Sequence, residues 1–197
     1  FCWMSSRGKE NRWLLENEGP HWEDQVSQFW DDVSGQELDP TMVRAARVEE
    51  MQEFAKHNVY TKVPITECLA RTGKKPIGVR WVDINKGDTQ SPLYMSRLVA
   101  KEFNTGVRPD LYAATPPGEC LRLMLSLLAS GRSRGAGLMY ADVSRAYFYA
   151  PAVRPVDVRL PDEDKEPGDE GKCGRLRMSM YGTRDAALNW SLEYCET

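Results

Sequence analysis

At 197 residues, 41% hydrophobic and 28% charged, the chain can bury the core of one ordinary domain, with or without an arm. Its net charge of −3 speaks against a dedicated polyanion binder, and the longest apolar run, Leu121–Ala129, is interrupted by Arg122 and too short to cross a bilayer. The five cysteines (Cys2, Cys68, Cys120, Cys173 and Cys195) form no Cys-x-x-Cys pair, and His21 and His57 have no partner at a ligand spacing, so the sequence carries neither a disulfide framework nor a zinc motif.

Residues 1–39 read as an acidic, tryptophan-rich arm of low order, with Trp3, Trp13, Trp22 and Trp30 set among acids such as Glu16, Asp24 and Asp31. Residues 40–197 read as the folded part. Asp39-Pro40 is a helix start, with Asp at the N-cap and Pro at the first helical position. Val43, Val48, Met51, Phe54 and Ala55 then recur at helical spacing, with Glu49, Glu50 and Lys56 on the other face; the helix should end near His57-Asn58. Val59–Val63 is a short strand closed by Pro64. Ile77–Ile84 and Leu93–Phe103 are expected to form a hairpin through Asn85-Lys86-Gly87-Asp88, with Gly87 supplying positive φ. The hairpin carries Arg80, Lys86, Arg97 and Lys101. Bases outnumber acids from Lys62 to Lys101. Such a band either holds a polyanion or is a solvated, edge-protecting face.

Glu119–Ser130 follows Thr115-Pro116-Pro117-Gly118. It is apolar nearly all round and reads as a buried helix ended by Gly131. Leu138–Val143 reads as a short buried strand delivering Asp142 at its end, with Tyr147-Phe148 beyond a turn. A rigid strand-end carboxylate suits a hard divalent cation, and the ring beyond could floor a nucleotide pocket; equally, Asp142 could be the cap of a helical turn. Val156, Val158 and Leu160 alternate with Asp157 and Arg159. Pro161–Gly171 reads as an acidic loop without fixed geometry. Leu176, Met178 and Met180 alternate again, giving a second hairpin beside the Asp142 strand. Arg184–Cys195 is a final amphipathic helix with Ala187, Trp190 and Tyr194 on one stripe. The order of elements is α+β: a small antiparallel sheet with helices on one side.

From about Glu49 onward, five stretches in one order resemble the reverse transcriptase of Ty1/copia-type LTR retrotransposons. Lys75-Pro76-Ile77-Gly78-Val79-Arg80-Trp81-Val82 is similar to the family's KPIGCKWV, and Ser96-Arg97-Leu98-Val99-Ala100-Lys101-Glu102-Phe103 to its ARLVAKGF. Ala114-Thr115-Pro116-Pro117 followed by Leu121-Arg122 resembles FSPV…IR. Ala141-Asp142-Val143-Ser144-Arg145-Ala146-Tyr147-Phe148 resembles LDVKTAFL, and Met180-Tyr181-Gly182-Thr183-Arg184-Asp185-Ala186 before Trp190 resembles LYGLKQAPRQW. The resemblance implies the fingers and first part of the palm of a right-hand polymerase. It makes Asp142 the first catalytic aspartate, binding two Mg²⁺ ions (Mn²⁺ being the alternative) with the backbone carbonyl of Val143 as a further ligand. By the same resemblance Tyr147 excludes a ribose 2′-hydroxyl, Arg97, with Lys101 or Lys75, holds the incoming triphosphate, and Arg80 and Lys86 contact nucleic acid.

The implied partners are an RNA template, a DNA primer and deoxynucleoside triphosphates, inside the cell in cytoplasm or nucleus and without a membrane. RNase H and integrase regions of a parent polyprotein are implied as well. Met95, Glu102 and Tyr149-Ala150 depart from the family pattern, and Thr197 is reached before the aromatic-x-Asp-Asp motif that follows in the family. Two expectations therefore stand side by side: a fragment of an RNA-directed DNA polymerase, and a catalytically inactive remnant that at most binds nucleic acid. On either, the 197 residues alone are expected not to extend a primer.

Overall fold

The computed structural model describes residues 28–196, apart from 89, 104–105, 107–108, 112, 114–115, 131–134, 136 and 140. Trp3, Trp13, Trp22 and Gly131 lie outside the described residues. Within them the chain is α+β, with small antiparallel sheets and four α-helices. None of these helices is long and apolar enough to cross a membrane.

Helix α1 (Pro40–Lys56) starts as its sequence dictates. The Asp39 carboxylate accepts from the Thr41 and Met42 amides, and Pro40 needs no acceptor at the first position. Its inward residues are Val43, Glu50 and Phe54. Glu50 is thus a correction, because it turns into the protein rather than onto the outer face, while Ala55 is exposed. Ahead of α1, strands β1 (Phe29–Trp30) and β2 (Glu37–Leu38) pair as a ribbon whose Phe29 and Leu38 pack on Val43 and Tyr94. These residues belong to the stretch read as an arm, and their acids hold them down. Asp31 accepts from the Asn85, Ser34 and Val33 amides, which depress its carboxyl to about 2. Asp32 accepts from the Asp83 amide.

Strand β3 (Tyr60–Pro64) leads straight into helix α2 (Ile65–Thr72), which Gly73 terminates in the left-handed conformation. β4 (Val79–Asn85) and β5 (Tyr94–Ala100) form the expected hairpin, with Val82 opposite Arg97. Gly87 is needed there for space, not for positive φ: a Cβ would lie 2.0 Å from the Ser91 carbonyl oxygen. Ile77 pairs with Val158 and so ties the hairpin to the second sheet.

That sheet has the order β3–β7–β6, with β6 spanning Asp157–Arg159 and β7 spanning Lys172–Leu176. β7 thus lies earlier than the Leu176–Met180 alternation suggests, because Tyr60 pairs with Leu176 and its ring fills the space a Cβ of Gly174 would need. Asp157, read as outward, is buried. The acidic loop has a fixed geometry. Arg47 of α1 donates to Glu163 at 2.8 Å and Lys62 to Asp169 at 2.7 Å, and the Tyr60 hydroxyl donates to Asp164. The core joins Phe54, Val59, Leu98, Phe148, Val158 and Met180. Phe148 stands edge-on to Phe54 with ring centroids 4.8 Å apart.

Two further expectations are corrected. Helix α3 (Gly118–Ala129) forms, but none of its residues is buried, and Leu123 is 61% exposed. A helix apolar on every side has the pattern of one that needs cover, and the described residues do not cover it. Leu138–Val143 is not a strand: its described residues find no ladder partner, and Leu138, Met139, Asp142 and Val143 are exposed. Helix α4 (Ala186–Glu196) buries Ala186 and Asn189 rather than the stripe Ala187–Trp190–Tyr194. Asn189 is drawn inward by the Ser179 hydroxyl, to which its amide donates at 3.0 Å.

Candidate active-site cleft

A cleft of about 760 Å³ opens between α1, β5 and the turn after Asp142. Its walls hold Glu49 and Glu50 from α1, Arg97 from β5, Lys86 from the hairpin turn, Asp142 to Tyr147 from the turn, and Tyr181 and Trp190. Of the residues singled out in the sequence, Asp142, Val143, Tyr147, Arg97 and Lys86 meet here. Three do not. Arg80 and Lys101 line a second cleft of about 410 Å³ beside Trp81, where Arg80 donates to Asp32 at 3.1 Å. Lys75 is exposed and lines neither.

The turn is held by Arg145, one of two non-glycine residues at positive φ among those described (φ 53°). Its Nε donates to Glu50 at 3.0 Å, and its guanidinium approaches Glu49 at 3.4 Å. Such backbone strain persists only where the surroundings enforce it. Here a buried carboxylate does so. Burial raises the Glu50 carboxyl above the ordinary range, and Arg145 and then Arg97 oppose the rise. Beyond Arg145, a 3₁₀ turn over Ala146–Tyr149 sends Phe148 into the core and leaves Tyr147 on the cleft. Tyr147 packs against Tyr181 with centroids 5.2 Å apart, and the Arg97 guanidinium lies over the Tyr181 ring at 5.3 Å. Burial raises the Tyr181 phenol while Arg97 opposes it. Tyr181 therefore stays neutral and works as a platform.

Among the described residues Arg97 makes no close ion pair and Asp142 has no basic partner; Arg97 rests on the Tyr181 ring and acts on Glu50 from a distance. The Asp142 carboxylate and the Val143 carbonyl are hard oxygen donors of the type Mg²⁺ and Mn²⁺ take, with water and phosphate completing the shell. They fit one ion. For a second, the cleft's other carboxylates are Glu49 and Glu50, and Arg145 engages both. Glu102, where the resembled family has glycine, lies outside this cleft. It accepts two bonds from Arg154, which also binds Asp185 at 2.7 Å.

Sequence reasoning missed Glu50, Arg145, Tyr181 and Trp190 as cleft residues. Arg145 and Tyr181 stand inside quoted motifs and were legible there. Glu50 was not, since helical spacing placed it with Glu49 on the outer face.

A family model for reverse transcriptase (RNA-dependent DNA polymerase) matches residues 58–196, more than half of the chain. The match includes Arg97, Asp142, Tyr147 and Tyr181; α1, with Glu49 and Glu50, precedes it. No curated protein and no solved structure matches. The chain belongs to the reverse transcriptase (RNA-dependent DNA polymerase) family, a family found in Ty1/copia-type elements.

Proposed function

We propose that the cleft is the deoxynucleotide and metal site of an RNA-directed DNA polymerase from a Ty1/copia-type Pol polyprotein, serving an RNA template and a DNA primer within the cytoplasm or nucleus. The observation that carries this reading is that Arg97, Asp142 and Tyr147, from two separate motifs, line one cleft, with neither the cation nor the carboxylate in an ion pair among the described residues. Asp142 and the Val143 carbonyl would hold Mg²⁺, which when bound would neutralise developing phosphate charge. Arg97 binds the triphosphate through paired donors, with Lys86 across the cleft as a second cation. Tyr147, braced by Tyr181, presents its ring to the sugar and rejects a 2′-hydroxyl.

Nucleotidyl transfer uses two ions, and among the described residues Asp142 is the one cleft carboxylate not engaged by Arg145. That observation favours a narrower second reading for these 197 residues, in which they bind nucleotide without polymerising. Equilibrium dialysis with labelled dGTP in Mg²⁺ tests the site. Binding is expected, weakened by Arg97→Ala, made indifferent to Mg²⁺ by Asp142→Asn, and made tolerant of GTP by Tyr147→Ala. Binding that ignores all three changes would end the proposal. Primer extension is expected to be absent from the 197-residue chain, and extension abolished by Asp142→Asn would instead reject the narrower reading.

A further inference from the structure

Cys68, Asp157 and Cys173 come from α2, β6 and β7 and meet in the interior. All three are buried, and both sulfurs and a carboxylate oxygen lie within 4.8 Å of one another. They line neither cleft, and the polymerase reading gives them no task. The sulfurs are free thiols. The Asp157 carboxylate, 3% exposed, is only half satisfied. Its Oδ2 accepts from Arg71 at 2.6 Å, whereas its buried Oδ1 has no close N–H or O–H donor: Arg175 Nε stands 3.6 Å away, and the Cys68 thiol is the weak donor beside the carboxylate. Buried carboxylate oxygens are seldom left so, because the lost hydration goes unreplaced.

We propose that Cys68, Cys173 and Asp157 bind one divalent cation of the zinc class, with water as the fourth ligand. Two thiolates and one carboxylate form a donor set suited to Zn²⁺ and unsuited to Mg²⁺. Zn–S bonds of about 2.3 Å in a tetrahedron put the sulfurs roughly 3.8 Å apart, so a closure of about 1 Å at most completes the site. Each thiol gives its proton to solvent as its bond to the metal forms, and Cys68 gives up its weak contact with the Lys74 carbonyl. Arg71, Arg175 and the Glu67 carboxylate paired with Arg175 balance the remaining charge. The ion ties α2 to the β6–β7 hairpin and fixes the Lys74–Ile77 segment that feeds the basic hairpin. The sequence conceals this site, because its ligands lie far apart along the chain and converge only across the sheet.

The full chain carrying Cys2→Ser, Cys120→Ser and Cys195→Ser keeps only the two buried thiols. Titrated with Co²⁺, it is expected to take one ion and to show thiolate charge transfer and the visible bands of tetrahedral cobalt. Zn²⁺ is expected to raise its melting temperature, since the ion binds the folded form alone. Cys173→Ser on this background should weaken binding at least about tenfold, because even changes beyond a ligand shell cost roughly 10–100-fold. Asp157→Asn should do the same; it also strips Arg71 of its partner, so if it fails to fold, Cys68→Ser decides. No tetrahedral cobalt spectrum in the triple-serine chain, or full affinity retained by Cys173→Ser, would overturn the proposal.

Discussion

At the scale of single residues, the cleft turns on Glu50 and Arg145. The Glu50 side chain is 4% exposed and that of Arg145 27%, so the carboxylate, not the guanidinium, has lost its water. Removing Arg145 leaves that charge buried without its partner. Arg145→Ala is expected to cost about 2–4 kcal/mol in urea unfolding, near the lower range for a broken buried pair because Arg145 is partly wet. The pH dependence has a definite sign. A carboxyl raised in the folded state binds its proton more tightly there than in the unfolded chain. Its charged form therefore costs stability above the unfolded value, and the cost fades as pH falls through the raised value. The Arg145→Ala deficit should shrink as pH falls through the raised Glu50 value, and Glu50→Gln should remove that pH dependence. A deficit constant as pH falls would mean that Glu50 is not the group left unpaired. Nothing in the sequence announced the pair, because a helical wheel puts Glu49 and Glu50 together and only the packing of the Asp142 turn separates them.

At the scale of elements, what was legible was what local chemistry decides. The start of α1 needs only Asp39 and Pro40, and the β4–β5 hairpin needs only its β-rich runs and the turn between them. The strand expected at Leu138–Val143 failed because a strand requires a partner edge, which its own residues cannot supply, and its described residues find none. Helix α2 was missed although Gly73 marks its end, because Pro64 offers no side-chain cap to mark its start. Gly182 shows how a quoted motif can carry packing as well as function. It lies at φ +81°, and a Cβ there would stand 2.2 Å from the Ala100 carbonyl oxygen, where the Ala100 amide donates to Tyr181 and closes the end of β5. Gly182→Ala is expected to destabilise by about 3 kcal/mol or more, from backbone strain and displacement together. The same shift should move Tyr181 from beneath Arg97 and weaken dGTP binding in the dialysis assay. Full stability in Gly182→Ala would show that the contact relaxes cheaply.

At the scale of the whole molecule, the charge reading changes most. The sequence shows eight bases between Lys62 and Lys101, enough to suggest a phosphate-binding band. Folding commits three of them internally: Lys62 to Asp169, Arg71 to Asp157, and Arg80 to Asp32. Lys74, Lys75, Lys86, Arg97 and Lys101 keep no acidic partner among the described residues. They are also dispersed, with Arg97 and Lys86 on the main cleft and Lys101 on the second. Each phosphate neutralised on a duplex releases counterions worth about 0.9 in the slope of log K against log salt, so five contacts let this band contribute at most about 4.5 to that slope. A labelled primer–template duplex titrated across a salt series, with each basic residue of the band replaced in turn, is expected to show the band contributing no more than that. Arg97→Ala should flatten the slope by about 0.9, and Lys62→Ala should leave it unchanged, because Lys62 already spends its charge on the acidic loop. A slope that Lys62→Ala flattens and Arg97→Ala does not would mean that the acidic loop lets go of its lysine when nucleic acid arrives and that the basic band acts as one surface after all.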